Sequence, residues 1–235
     1  MKKLIIIPTF NEKENIVNTI QEIEEKAKDF DYIIINDCST DGTGELCKEM
    51  GFHYVDLPIN LGIGGAVQTG YQYALEHGYD VAVQVDGDGQ HDPAYLEQMA
   101  KVLEQEGAHM VIGSRFIEKE GFQSSFMRRV GIRYFTLLIR LLTGTEITDP
   151  TSGLRMVDKE VIALFAKDYP KDYPEPESVV GILRKGKRVK EIPVIMRDRQ
   201  GGVSSISYKK SVYYMIKVTL AIFMECIRSH KRVEV

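Results

Sequence analysis

The sequence predicts an α/β protein with a mostly parallel central sheet and helices on both of its faces. First, short apolar runs alternate with segments whose apolar residues recur at helical spacing, which is typical of repeated βα units. Second, polar and glycine-rich residues follow several of these runs, where the strands of such a sheet end. Third, 235 residues with 43% hydrophobic and 27% charged side chains suit one large domain with a single well-filled core.

The elements of the first half can be read in order. The predicted strands are 4–7, 32–35, about 53–57, 81–85 and 109–113, and each is a short apolar run. The first predicted helix is 11–29, with Ile16, Ile20 and Ile23 one turn apart. A short helix follows Thr43, another opens at the glycine-rich turn 60–66, and a fourth spans 95–106. This alternation predicts that the sheet is mostly parallel.

Composition excludes several classes of protein. A formal net charge of −4 argues against nucleic-acid binding. The three cysteines lack metal-ligand spacing and indicate reduced thiols in the cytoplasm. The apolar run at 4–7 ends at Pro8, so we interpret it as a strand and not as a signal peptide. No apolar run reaches the ~18 residues of a membrane span.

Two carboxylates, Asp86 and Asp88, follow the fourth strand, and a glycine follows each of them. Residues i and i+2 of an extended segment point the same way, so both carboxylates can face one spot. Paired oxygen ligands of this kind suit Mg²⁺ or Mn²⁺ carrying a diphosphate. The alternative, a polar turn after a buried strand, is equally good for these residues alone. Other polar strand ends favour the site, because Pro8–Glu12, Asp37 and Arg115 fall at the same edge of the sheet.

Two later segments are amphipathic. The first, 126–142, places Phe126, Val130, Tyr134, Leu138 and Leu142 one turn apart, with a separate stripe of Arg129, Arg133, Thr136 and Arg140. The second, 212–227, is apolar and interrupted by Lys217. Such helices suit a membrane surface with arginines at headgroup depth, although a core-packing helix with a solvated face remains the alternative. We therefore expect a domain over 1–207, including the helix at about 126–142, and a membrane-associating segment over 208–235.

Several ordered motifs resemble the inverting family-2 glycosyltransferases of the GT-A fold. Within that family they look most like the polyprenyl-phosphate hexose synthases, the relatives of dolichyl-phosphate mannose synthase. The resemblance covers residues 3 to about 207 and rests on the segments 8–12, 36–43, 60–66, 86–90, 149–155 and 199–204. It implies a GT-A (Rossmann-like) sheet with helices on both faces.

The resemblance also implies roles for individual residues. The expected nucleotide-binding residues are Pro8, Thr9, Phe10, Asn11, Glu12, Asp37, Asn60, Gly64 and Asp86. The expected metal ligands for Mg²⁺ or Mn²⁺ are Asp86, Asp88 and Gln90. The expected catalytic residues are Asp88, Arg115, Arg128, Arg129, Arg199 and Glu177, with Arg115, Arg128 and Arg129 forming a cationic rim for an acceptor phosphate. Asp149, Ser152, Arg155 and Ser204 are expected to bind the acceptor or sugar.

The implied reaction moves a hexose or N-acetylhexosamine from a nucleotide diphosphate sugar, UDP being favoured, to polyprenyl (undecaprenyl) phosphate for cell-envelope glycan synthesis. It would take place on the cytoplasmic face of the cell membrane, where a small membrane protein could be a partner. One alternative acceptor is a sugar hydroxyl, with Glu175 or Glu177 as its base. A nucleotidyltransferase and a non-catalytic nucleotide-binding module are further alternatives. Ser205, where mannosyl members often carry lysine, leaves one phosphate contact in doubt.

Overall fold

A computed structural model describes residues 1–118, 126–197 and 208–230, without the side chains of 126–128, 208–212 and 228–230. The elements are β1 (Lys3–Thr9), α1 (Ile16–Lys26), β2 (Asp31–Asn36), α2 (Thr43–Glu49), β3 (Tyr54–Asp56), α3 (Gly62–Glu76), β4 (Val81–Gln84), a 3₁₀ turn (Pro93–Tyr95), α4 (Leu96–Gln105), β5 (Met110–Ser114), α5 (Phe126–Thr143), β6 (Arg155–Asp158), α6 (Lys159–Lys167), α7 (Pro174–Arg184), β7 (Val189–Pro193) and α8 (Tyr208–His230).

All seven strands form one sheet in the order β3-β2-β1-β4-β6-β5-β7. Strands β1 to β4 pair in parallel, and β7 pairs in parallel with β5. The predicted mostly parallel sheet is therefore confirmed. Strand β6, which the sequence did not indicate, lies antiparallel between β4 and β5. Its first residue, Arg155, pairs with Gln84 at the end of β4, so the chain before β6 meets the carboxyl end of β4.

The central strands β1, β4 and β5 are buried on both faces, which explains their continuous apolar runs. Alternate residues of β1 enter different cores, because successive side chains of a strand point to opposite faces. Ile5 and Ile7 pack with residues of α1 and α4. Leu4 and Ile6 pack with residues of α3, α5, α6, α7 and α8. The central strands thus place their carboxyl ends at one well-supported edge.

Two predicted helix boundaries were wrong. Helix α1 begins at Ile16 and not at residue 11, because Asn11 has a positive φ of 56° and Glu12 starts a turn. It also ends at Lys26, before the predicted end at residue 29. Helix α7 begins at Pro174, so the segment 174–177 forms its first turn. Proline suits the first turn because no intrahelical partner is available there for its missing N–H.

Helices α5 and α8 pack side by side on the domain. The buried face of α5 carries Ile132, Phe135 and Ile139, whereas Val130 and Tyr134 of the predicted apolar face are exposed. Helix α8 buries Val218 and Ile222 in the core shared with α3 and α6. The predicted boundary at residue 207 lies outside the described residues. Within the described parts of the chain, no helix is both long and apolar enough to cross a membrane.

Candidate active site

The carboxylate of Asp86 is held in place from two sides at the end of β4. Gln84 Nε2 donates to Asp86 Oδ1 at 2.9 Å. His91 Nδ1 accepts from the backbone N–H of Asp86 at 3.1 Å, which directs the N–H of the ring to Nε2, 3.7 Å from Asp86 Oδ2. The Asp86 side chain is 36% exposed. It is therefore oriented by its neighbours and still reachable from outside.

Asp88 and Gln90 belong to the loop that follows. The backbone N–H of Gln90 donates to Asp88 Oδ1 at 3.1 Å. The side chain of Gln90 donates through Nε2 to the carbonyl of Arg197, also at 3.1 Å. Gly89, between them, has a φ of 74°, which a residue with a side chain rarely adopts. The loop, here called the metal loop (86–91), thus has a defined shape.

Glycines bring two other segments against the metal loop. A Cβ on Gly87 would lie 3.1 Å from Thr9 Oγ1, at the end of β1. A Cβ on Gly153 would lie 2.9 Å from Asp86 Oδ2, a distance that real Cβ contacts do not show. The end of β1, the metal loop and the loop before β6 therefore meet at Asp86.

The donor set suits a divalent cation that arrives with a diphosphate. The described residues contain no cluster of three or more His, Cys, Asp or Glu side chains that could enclose a metal ion. Mg²⁺ and similar ions need only one or two protein carboxylates when phosphate oxygens and waters complete the shell. Asp86 and Asp88, with the amide oxygen of Gln90, fit that role and not that of an all-protein cage.

At the neighbouring strand end, Asp37 is only 3% exposed and organises a turn. Its Oδ1 accepts from the backbone N–H of Leu61 at 2.7 Å, and its carbonyl accepts from Asn60 Nδ2 at 3.0 Å. No donor from the described residues reaches Oδ2 of Asp37, which leaves that oxygen able to accept from a ligand. Phe10 directly follows β1 at the same edge of the sheet, and its aromatic side chain is 48% exposed.

Two residues without glycine's freedom adopt positive φ at these strand ends. They are Asn11, after β1, and Cys38, after β2, with φ of 56° and 59°. Asn11 is fixed by its neighbours, since its Oδ1 accepts from Thr40 N at 2.8 Å and its own N–H donates to Ser39 Oγ at 2.9 Å. Such strained backbone is concentrated at functional sites. The outlier pair therefore marks the same edge as the carboxylates.

The other predicted nucleotide-binding residues differ in access. Pro8, Thr9 and Glu12 are buried, and Asn15 Nδ2 donates to Glu12 Oε2 at 2.7 Å. Gly64 is also buried, and its N–H donates to the carbonyl of Lys171 at 3.2 Å. A Cβ on Gly64 would lie 2.1 Å from the carbonyl oxygen of Pro170. The small size of Gly64 therefore allows close packing against this loop, and its binding of nucleotide stays a prediction.

Arg115 and Asp149 form a buried ion pair. Arg115 Nε donates to Asp149 Oδ2 at 2.6 Å and Nη2 donates to Oδ1 at 2.7 Å, with side-chain exposures of only 6% and 0%. Both side chains are therefore buried partners of each other, and sugar or acceptor binding by Asp149 stays a prediction. A contact of Arg115 with an acceptor phosphate stays a prediction.

Arg155 is likewise buried and tied to the protein. Its guanidinium donates to the carbonyls of Ser152, Pro150 and Glu175 and to Ser178 Oγ. Arg155 is 2% exposed and Ser152 1%. Acceptor or sugar binding by Arg155 and Ser152 stays a prediction, and four N–H donors of Arg155 serve internal acceptors. They join the loop before β6 to the first turn of α7.

The two candidate bases, Glu175 and Glu177, lie in different surroundings. Burial, followed by the charges of Glu225 and Asp172, raises the pKa of Glu177 to about 7. Glu175 instead acts on the same tyrosine as Asp86. Burial raises the pKa of Tyr169, and the charges of both carboxylates add to that rise. The catalytic prediction for Glu177 therefore gains no support, because its charged neighbours are on α8 and the preceding loop.

The remaining predicted residues are only partly described. Arg129 is half-buried on α5. The side chain of Arg128, and the whole of Arg199 and Ser204, lie outside the described residues. Sequence reasoning missed Gln84, His91 and Arg197, which hold the metal loop. Of these three, only His91 could have been found from the sequence, because it directly follows Gln90.

This chain has a mixed sheet, an acid pair at the end of β4 and a buried acid at the end of β2. Together these features define the GT-A fold, which is typical of nucleotide-sugar glycosyltransferases. Residues 4–165 match the profile of Glycosyl transferase family 2, and the chain belongs to that family. It is 31% identical over 217 residues to the undecaprenyl-phosphate mannosyltransferase of Micrococcus luteus, covering 88% of each chain. It is 30% identical to the polyprenol monophosphomannose synthase of Mycolicibacterium smegmatis, covering 92% of this chain and 85% of that protein.

Among solved structures, the fold is similar to glucosyl-3-phosphoglycerate synthase from Mycobacterium tuberculosis in complex with Mn²⁺, UDP-glucose and phosphoglyceric acid. The TM-score is 0.75 at 16% identity, and the match covers 96% of this chain and 79% of that one. This likeness confirms the predicted fold class.

Proposed function

We propose that the protein transfers a hexose from a nucleotide diphosphate sugar to a polyprenyl phosphate at a membrane surface. The acceptor phosphate oxygen attacks the anomeric carbon, the bond from that carbon to the diphosphate breaks, and the nucleoside diphosphate leaves. Attack opposite the leaving group inverts the anomeric configuration. The names of two relatives that act on such lipids support this acceptor and favour mannose.

Each described part of the site has a task in this reaction. Asp37 and the strand end after β1 would bind the nucleoside, and Asp86 and Asp88 would hold Mg²⁺ or Mn²⁺ on the diphosphate. The cation, when bound, neutralises charge that builds on the departing diphosphate. A phosphate acceptor is already ionised near neutral pH, so it needs positioning and cations more than a general base. Arg129 is the described arginine that could supply such a cation from α5.

The observation that carries the lipid assignment is the exposed apolar face shared by α5 and α8. Tyr134 on α5 and Thr219 on α8 lie 3.1 Å apart through their hydroxyl oxygens, so the two helices are adjacent. Their exposed apolar side chains are Val130, Tyr134, Leu137 and Leu141 on α5, and Tyr213, Ile216, Leu220, Phe223, Met224 and Ile227 on α8. Soluble proteins rarely expose so large an apolar surface, and arginines beside it suit anionic headgroups.

Vesicle flotation tests this surface. Burying one leucine side chain contributes about 1.5–3 kcal/mol, so Leu137→Glu or Leu220→Glu should lower vesicle binding at least about tenfold. Leu75→Glu is the matched control, because Leu75 is 51% exposed on α3, away from this face. Equal binding by all four proteins would contradict the membrane part of the proposal.

The reaction itself is tested with labelled GDP-mannose, UDP-glucose and UDP-N-acetylglucosamine, presented with undecaprenyl phosphate in vesicles. We expect one donor to yield an organic-extractable, acid-labile product, with Mg²⁺ or Mn²⁺ required and inverted anomeric configuration. Label transferred only to a water-soluble oligosaccharide would instead support the second candidate, a sugar-hydroxyl acceptor. The one observation that favours that candidate is that the charges of Glu175 and Asp86 both add to the rise that burial causes in the pKa of Tyr169. Membership of a glycosyl transferase family leaves the nucleotidyltransferase alternative without support.

A further inference from the structure

The metal loop rests against a residue that neither the family motifs nor the proposed reaction uses, Arg197. The backbone N–H of Arg197 donates to the carbonyl of Gln90 at 3.1 Å, and its carbonyl accepts from Gln90 Nε2 at 3.1 Å. Both ends of Gln90, main chain and side chain, are therefore bonded to one residue from a segment about a hundred positions away.

These contacts decide which way the Gln90 carboxamide faces. A backbone carbonyl only accepts hydrogen bonds, so the amide nitrogen must be the atom that faces Arg197. The amide oxygen then points the other way, and no donor from the described residues reaches it. Gln90 also donates through its backbone to Asp88 Oδ1 at 3.1 Å. Holding Gln90 therefore orients two of the three expected metal ligands.

The side chain of Arg197 fixes the position of its own backbone. Nη1 donates to both carboxylate oxygens of Glu22, at 2.9 and 2.7 Å, and Nη2 donates to Asp92 Oδ2 at 2.6 Å. Glu22 lies on α1 and Asp92 caps the 3₁₀ turn, so the guanidinium is tied to two ordered elements. A forked guanidinium suits two carboxylates at once, which a lysine ammonium cannot match in geometry.

We propose that Arg197 is a positioning residue that preorganises the metal loop through Gln90. This inference rests on the metal part of the proposed function. Partners behind metal ligands typically alter metal affinity about 10–100-fold when they are removed. Arg197→Met should therefore weaken Mn²⁺ binding about 10–100-fold, and Arg197→Lys should fall between that variant and the wild type.

Lys26 provides a matched control on the same two acids. Its Nζ lies 3.2 Å from Asp92 Oδ1 and 3.7 Å from Glu22 Oε2, with an exposure of 31% against 29% for Arg197. Lys26→Met thus removes an equal charge from the same cluster without touching Gln90. We therefore expect the Mn²⁺ affinity of Lys26→Met to stay within about twofold of the wild type. If the loss of a positive charge were enough to weaken binding, both variants would lose affinity.

The experiment measures Mn²⁺ binding by electron paramagnetic resonance on the full chain, with UDP and with GDP, alongside thermal melts. Loss of affinity in Arg197→Met but not in Lys26→Met supports the inference, whatever the sugar-transfer assay shows. Equal affinities, or equal losses in both variants, overturn it.

If Arg197→Met fails to fold, Glu22→Gln should show the same loss in smaller measure, and unchanged binding there overturns the inference. A wild-type protein that binds no Mn²⁺ with either nucleotide overturns it together with the metal site. Failed transfer with the affinity pattern intact overturns only the function.

Discussion

Neutralising Asp149 tests whether the buried ion pair with Arg115 supports the fold or binds a sugar. Asp149→Asn keeps the shape of the side chain but leaves the guanidinium without its bidentate counter-ion. Removing one partner of a buried pair costs about 3–5 kcal/mol, because the other charge stays buried. The carboxylate of Glu191, which accepts from the backbone N–H of Asp149 at 2.9 Å, remains nearby and offsets part of this cost. We therefore expect a loss of about 3–4 kcal/mol.

Urea denaturation followed by circular dichroism measures this loss. With a slope of about 2–3 kcal/mol/M for a chain of this size, the midpoint should fall by about 1–2 M. In the double variant Arg115→Met, Asp149→Asn, no buried charge remains, so at least about half of the lost stability should return. A midpoint within about 0.3 M of the wild type, with a raised KM for the donor, would refute the reasoning and support Asp149 as a sugar ligand.

Three further predictions concern the metal loop, the contact of α7 with α8, and the glycine turn. Asp88→Asn should lower sugar transfer at least about 100-fold without a large change in the thermal midpoint, because a neutral amide binds a divalent cation poorly; residual transfer that survives EDTA would speak against the metal. Burial and then Glu225 and Asp172 raise the pKa of Glu177 from 4.5 to about 7, so the folded state keeps a proton that the unfolded state releases. Stability should therefore fall as the pH rises from about 4.5 to about 7, by about 1 kcal/mol after solvent screening, and thermal melts of Glu177→Gln should lack this dependence. Gly64→Ala should cost about 1–3 kcal/mol in urea denaturation, because its Cβ would overlap the carbonyls of Pro170 and Lys171; an unchanged midpoint would mean that this loop yields freely.

The sequence predicts well which polar side chains follow directly after a strand. Asp86 and Asp88 could be placed just after β4 because a buried strand and two glycines surround them in the chain itself. Asp37 could be placed for the same reason, since it directly follows β2. The parallel pairing of β1 to β4 also follows from the alternation of strands and helices, because the helix of a βαβ unit nearly always makes a right-handed crossover between parallel strands.

Burial and pairing could not be predicted where the partner of a residue is distant in the chain. Nothing within 149–155 indicates that Arg155 and Asp149 are buried, because their acceptors and donors come from α7 and from the end of β5. Strand β6 has only four residues, and its antiparallel pairing with β4 has no local signal. Helix α5 carries apolar residues on two faces beside its arginine stripe, so its periodicity could not indicate that Phe135, and not Tyr134, faces the core.

Strand β6 explains how the site and the exposed helical face are held in fixed relation. Gly153 touches Asp86, and two residues later Arg155 bonds to the first turn of α7 through Glu175 and Ser178. Helix α7 in turn meets α8, where Lys185 Nζ lies 3.3 Å from Glu225 Oε1. A packed core transmits displacement from one element to the next and does not absorb it. A membrane in contact with α8 would therefore lie at a fixed distance from the metal carboxylates. A lipid phosphate has a short tether to its bilayer, and this connection is what would allow the site to meet it there.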